Sequence, residues 1–171
     1  MHEASRLALR LSGVSKAFGG LMAVDGVSLH IRPGERRALL GPNGVGKTTL
    51  FHLISGELAP TKGRIELFGR DVTRVAPHRR AALGMARTYQ ITNLFPQLTV
   101  LQNCLLAVQG LSAVKFHLHR PLRRYPALFA RARAVLGAVG LTGKEAELVR
   151  NLSYGEQRQL EIALALAGQP Q

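Results

Sequence analysis

The chain has 171 residues, 46% of them hydrophobic, enough for an ordinary globular core, and no apolar run approaches the roughly 18 residues of a membrane-spanning helix. A single cysteine, Cys104, excludes an internal disulfide, and Met1-His2-Glu3-Ala4-Ser5-Arg6 lacks the apolar stretch and cleavage site of a secretory signal; both features suit a reduced cytoplasm. Twenty-three Lys and Arg against ten Asp and Glu give +13, gathered at 32–37, 74–80 and 115–124. Such an excess attracts phosphorylated ligands, anionic lipid or nucleic acid, but no ladder of aromatics interleaves with it as in a single-strand stacking platform.

In chain order, Leu7, Leu9 and Leu11 alternate, as do Val27, Leu29 and Ile31, which predicts two half-buried strands. Arg37-Ala38-Leu39-Leu40 reads as a short buried strand entering a Gly/Pro-rich loop, and Thr48 to Ser55 as a helix closed by Gly56 in a left-handed cap. Ile65 and Leu67 mark another strand, ended by Gly69. After about Gln90, Thr99 and Gln102 have capping-box spacing and open an apolar helix through Val108. The basic stretch 115–124, broken by Pro121, reads as an exposed loop or short helix, and 127–139 as a helix ending at Gly140. In the last helix Leu160, Ala163, Leu164 and Ala167 recur at helical spacing. The pattern is an α/β nucleotide-binding core with a mainly helical insertion.

Gly41-Pro42-Asn43-Gly44-Val45-Gly46-Lys47-Thr48 matches G-x-x-x-x-G-K-[ST] in full, between a predicted strand and a predicted helix. Glycines let backbone N–H groups converge on phosphate oxygens, and the following helix adds the positive end of its dipole. In that arrangement Lys47 reaches the β- and γ-phosphates and the Thr48 hydroxyl ligates Mg²⁺. Thr49 follows in the first turn of the helix. The expected ligand is a nucleoside triphosphate.

Leu152-Ser153-Tyr154-Gly155-Glu156-Gln157 is a capping box opening the final helix, S-x-x-E, and also a second exposed helix N-terminus suited to a γ-phosphate. This hexapeptide resembles the signature of ABC ATPases, usually LSGGQ, with Tyr154 in place of the first glycine and Glu156 in place of the glutamine. Thr88-Tyr89-Gln90 is similar to the family's Q-loop, which assigns Gln90 to Mg²⁺ and the attacking water. Phe18, in Lys16-Ala17-Phe18-Gly19-Gly20, occupies the place of the adenine-stacking aromatic. FGGLMAVDGVSL, RTYQITNLFPQLTVLQN and LSYGEQRQLEIALAL resemble the ATP-binding subunit of branched-chain amino acid importers; urea and amide importers are close to these.

The resemblance implies a P-loop NTPase of ABC type, an α/β core with an antiparallel β subdomain and a helical subdomain. On that pattern residues 1–90 carry the core and β subdomain, 91–157 the helical subdomain, and 158–171 begin the return to the core. It implies ATP and Mg²⁺ as cofactors and a peripheral place on the cytoplasmic face of the membrane. Its expected partners are a second ATPase subunit whose ATP meets this signature, transmembrane permease subunits and, indirectly, a solute-binding protein, with no specific nucleic acid. The family continues into an apolar strand ending in Asp-Glu, a position that falls beyond Gln171; the chain as it stands is expected to be incomplete at the C-terminus and to bind ATP without hydrolysing it. Two alternatives stay open: a soluble ABC protein acting on nucleic acid or ribosomes, and a non-catalytic ATP-binding fragment. His117 and His119, with no second pair of ligands, read as solvated surface; Cys104 reads as packing, and Glu161 as facing solvent.

Overall fold

The computed structural model describes residues 7–88, 94–110, 112, 114 and 121–170. They divide into two compact units, one up to Leu83 and one from Gly84 to Pro170.

In the first unit, β1 (Leu9–Phe18) and β2 (Leu21–Ile31) form an antiparallel hairpin. The turn is Gly19-Gly20, where Gly19 at φ 57 supplies the left-handed conformation a two-residue hairpin loop needs. β3 (Lys62–Leu67) pairs with the other edge of β1, and β4 (Arg70–Asp71) with β3, giving the sheet order β2-β1-β3-β4. The alternation seen in the sequence sets the buried face. Leu9 lies opposite Leu67 and Leu11 opposite Ile65, and all four are buried. β1 is longer than its hydrophobic pattern suggested because a bulge at Ser12–Gly13 resets the register, bringing Val14 and Ser15 inside. α1 (Lys47–Ser55) contributes Leu50 and Leu53 to this unit's buried residues and ends at Gly56, φ 85, as expected. A short α2 (Pro77–Ala82), which carries no apolar periodicity, follows with Pro77 in its first turn.

Residues 37–40 depart from the expected buried strand. They are not in a strand, and Leu40 is 89% exposed. A strand needs a neighbour to take its N–H and C=O groups. Among the described residues the only sheet is the antiparallel one, and its edges are β2 and β4.

The second unit is helical: α3 (Val100–Gly110), α4 (Pro126–Ala138) and α5 (Tyr154–Ala167). Val100, Cys104 and Val108 from α3, Ala132 and Leu136 from α4, and Leu160, Ala163 and Ala167 from α5 form one buried cluster. Residues 158–167 therefore pack with α3 and α4 inside this unit. The predicted capping box of α3 is present in both directions: Thr99 N–H donates to Gln102 Oε1 at 2.8 Å, and Gln102 N–H to Thr99 Oγ1 at 3.1 Å. Of the basic stretch, residues 122–124 form a 3₁₀ turn; His117 and His119 lie outside the described residues.

Candidate functional site

The first site is the loop entering α1. Gly44 (φ 82) and Gly46 (φ 84) both adopt the left-handed conformation, which L side chains rarely reach. At Gly46 there is a second constraint: a Cβ would sit 2.1 Å from the carbonyl oxygen of Ala23 in β2. The loop is thus seated against the hairpin backbone, and only a hydrogen atom fits between them. Gly46 is the N-cap of α1 and makes no side-chain capping bond, which leaves the first N–H groups of the helix without a capping side chain. Lys47 Nζ donates to the carbonyls of Gly41 (2.7 Å) and Pro42, folding its ammonium back over the loop. Thr48 and the residues Gly41 to Val45 are exposed, while Lys47 and Thr49 are half-buried. Left-handed glycines, free helix N–H groups and an ammonium on the loop together form a cradle that fits the phosphates of a nucleotide, with the Thr48 hydroxyl beside it.

Phe18 closes β1 and is 46% exposed, which excludes it from the core. Its ring carries the Lys16 ammonium 5.2 Å from the centroid. Gln90 lies outside the described residues.

The second site is the N-terminus of α5. Ser153 is the N-cap of a complete capping box: its backbone N–H donates to Glu156 Oε2 at 2.8 Å, and Glu156 N–H to Ser153 Oγ at 3.4 Å. The Ser153 hydroxyl also donates to Glu156 Oε2 at 2.9 Å. Leu152 is buried below, and its carbonyl accepts from Gln157 Nε2 at 3.1 Å. Gly155 has open space where a side chain would stand, and Tyr154 is 68% exposed.

Arg158 holds the Tyr154 hydroxyl at 2.6 Å, its guanidinium carbon 5.0 Å from the ring centroid, and reaches Glu161 at 2.7 Å. Glu161 therefore does not face solvent as expected. Its side chain is mostly buried, drawn in by the cation one turn earlier on the same helix face.

Two residues went unsingled in the sequence. Lys144 pairs with Glu156 at 2.5 Å, and this contact, helped by the Ser153 bonds, holds the Glu156 carboxyl down at about 2. Arg80, 1% exposed, donates to the carbonyls of Leu53 (2.7 Å), Ile54 (2.6 Å) and Val75 (2.8 Å), and so caps the end of α1 opposite the phosphate loop. Neither was legible in the sequence, because Arg80 meets Leu53 and Ile54, and Lys144 meets Glu156, across a long stretch of chain. Cys104 is buried, its thiol pushed up to about 11 by burial, in keeping with packing. No cluster of three His, Cys, Asp or Glu able to hold a metal occurs among the described residues.

The sequence profile of the ABC transporter family matches residues 24–171. The chain is 38% identical over 170 residues to the high-affinity branched-chain amino acid transport ATP-binding protein LivG of Salmonella typhimurium, covering 95% of this chain and 66% of that protein. It is 35% identical over 173 residues to BraF of Pseudomonas aeruginosa, which bears the same description, covering 97% and 67%. A crystal structure of a nucleotide-free ATP-binding cassette from an ABC transporter superposes with a TM-score of 0.81 at 29% identity, covering 96% of this chain and 66% of that one. The chain thus spans about two thirds of the length of these relatives, and with the family profile matched over residues 24–171 it belongs to the ABC transporter family.

Proposed function

We propose that the chain belongs to the ATP-binding, ATP-hydrolysing subunit of an ABC importer, in which it supplies the ATP-binding part, and that the transported solutes are branched-chain amino acids. The phosphate cradle formed by Gly44, Gly46 and Lys47 carries the ATP-binding part of this reading. The solute class rests on the likeness to LivG and BraF. Gly41, Pro42, Asn43, Gly44, Val45, Gly46, Lys47, Thr48 and Thr49 hold the phosphates, and Phe18 stacks on the adenine. Thr48 and Gln90 are the protein groups assigned to Mg²⁺, which when bound offsets phosphate charge. Ser153, Tyr154, Gly155 and Glu156 present the signature to the nucleotide of a second ATPase subunit, and permease subunits anchor the pair at the cytoplasmic face of the membrane.

No helix is long and apolar enough to cross a membrane among the described residues. Calorimetry with Mg-ATP tests the nucleotide site. Lys47→Ala removes a charge-assisted contact worth about 1.5–3 kcal/mol, and unchanged affinity in the folded variant overturns the assignment. For the solute, the same change in the source organism should stop ATP-driven uptake of leucine, isoleucine and valine. Normal uptake of all three would remove the branched-chain reading.

A further inference from the structure

The Glu156 carboxylate already occupies donors that an incoming anion at the N-terminus of α5 would use. Its Oε2 takes both the backbone N–H and the hydroxyl of Ser153, at 2.8 and 2.9 Å. A carboxylate so placed stabilises the helix, but it also sets a negative charge against any phosphate that approaches the same end. The neutral glutamine usual at this position of the signature would not. In this chain the charge is met by Lys144, whose Nζ lies 2.5 Å from Glu156 Oε1 and 3.6 Å from Glu147 Oε1.

Lys144 does not reach this place from a loose loop. Gly143, at φ 86, turns the chain just before it, and Lys144 N–H donates to Leu141 O at 3.2 Å. Immediately after it, the carbonyls of Glu145 and Glu147 accept from the N–H groups of Leu101 and Val100 in the first turn of α3, and Leu148 bridges to Thr99. The backbone carrying the ammonium is therefore fixed to α3, and the ion pair joins α3's entry to the signature. Without Lys144, the carboxylates of Glu147 and Glu156 would both stand unneutralised at this helix end.

We propose that Lys144 is a positioning residue of the signature: by pairing with Glu156 it cancels the negative charge at the N-terminus of α5, so that this end accepts the terminal phosphate of a nucleotide held by a second copy of the chain. The proposal rests on the two-subunit reading given above. It differs from a purely structural role in one respect. A structural lysine is needed whatever residue stands at 156, whereas a charge-cancelling lysine becomes dispensable once residue 156 is neutral.

The test measures self-association of the chain by sedimentation, with and without a non-hydrolysable ATP analogue, alongside analogue affinity from calorimetry at low protein concentration. The chain and Lys144→Arg should both associate when the analogue is bound. Lys144→Gln should associate about fivefold more weakly at low salt, as expected for loss of a near-surface charge pair. In Lys144→Gln combined with Glu156→Gln, association should recover most of what the single change loses, since glutamine at the third helical position preserves the capping box and only the more distant Glu147 is left without its lysine. Analogue affinity of the phosphate loop should be equal in all four proteins, which also shows that each is folded. Equal association of Lys144→Gln and the unsubstituted chain overturns the proposal, as does a double variant that stays as weak as the single one. Normal analogue binding with no association in any of the four is a different pattern, and it overturns the two-subunit reading and this proposal with it.

Discussion

The Arg80 guanidinium fills the space that a side chain on Gly56 would need: a Cβ built at Gly56 would lie 2.6 Å from Arg80 Nε and 2.9 Å from the Val75 carbonyl. The glycine that ends α1 and the arginine that caps it are thus one device. Gly56 at φ 85 turns the chain away while leaving room for the cation that takes the carbonyls of Leu53 and Ile54. Arg80→Met keeps much of the buried stem but leaves three close carbonyls without their donor, and should cost on the order of 3–5 kcal/mol. Gly56→Ala adds left-handed strain to a collision with Arg80 and should be comparably harmful. A thermal midpoint lowered by less than a few degrees in both variants would show that α1 is capped in some other way.

Gly44 and Gly46, in the loop proposed to hold the phosphates, should respond differently to the same change. Both are left-handed, so alanine at either is strained by about 1–2 kcal/mol. At Gly44 that is all, since nothing lies within 4 Å of the added carbon; at Gly46 the Ala23 carbonyl is 2.1 Å away and belongs to backbone. Gly44→Ala should leave measurable ATP binding, and Gly46→Ala should abolish it by displacing the loop from β2. Equal ATP affinities in the two variants, measured by calorimetry, would contradict this account of the loop's seating.

Phe18→Ala should weaken ATP and ADP alike, by about 1–3 kcal/mol, because stacking on a base does not depend on phosphate number. The ring is 46% exposed at the end of a strand, so the same change should alter stability by no more than about 0.5 kcal/mol. Unchanged affinity for both nucleotides would move the adenine elsewhere.

How far the sequence could be read depended on whether partners are local. The capping boxes at Thr99 and Ser153 and the α1 stop at Gly56 depend on residues within four positions of one another, and each takes the form expected. Leu9 and Leu11 lie on a buried strand face as alternation implied, while their pairing with Leu67 and Ile65 is a structural finding. The bulge at Gly13 was not legible, because a one-residue register shift is set by two neighbouring strands. Arg37-Ala38-Leu39-Leu40 has the composition of a buried strand yet stands exposed, since composition names a strand's preference but not its neighbour. Arg80 and Lys144 looked like ordinary surface cations within a large positive excess. The partners that give them their roles, Leu53 and Ile54 for Arg80 and Glu156 for Lys144, lie 26–27 and 12 residues away, beyond the reach of any short motif.

The acid side of the pH profile gives a last check, and it isolates Glu156. Its carboxyl is held at about 2, below the ordinary 4.5, chiefly by Lys144 and then by the Ser153 N–H and hydroxyl. A depressed folded value means that the ionised form is favoured by the fold. The contribution is therefore fully present above pH 4.5 and is lost as pH falls from 4.5 towards 2. In the folded chain the Glu156 carboxyl resonance, followed by NMR, should still report about 90% ionisation at about pH 3. Lys144→Gln removes the largest cause and should raise the midpoint towards 4.5, while the Ser153 bonds keep it from arriving there. Glu35 and Asp71 also titrate low, through their own partners, Arg32 with Arg37 and Thr73, and should not move in that variant. A Glu156 midpoint near 4.5 in the unsubstituted chain would mean that the Lys144 contact does not persist in solution, and the charge balance proposed for the signature would fail with it.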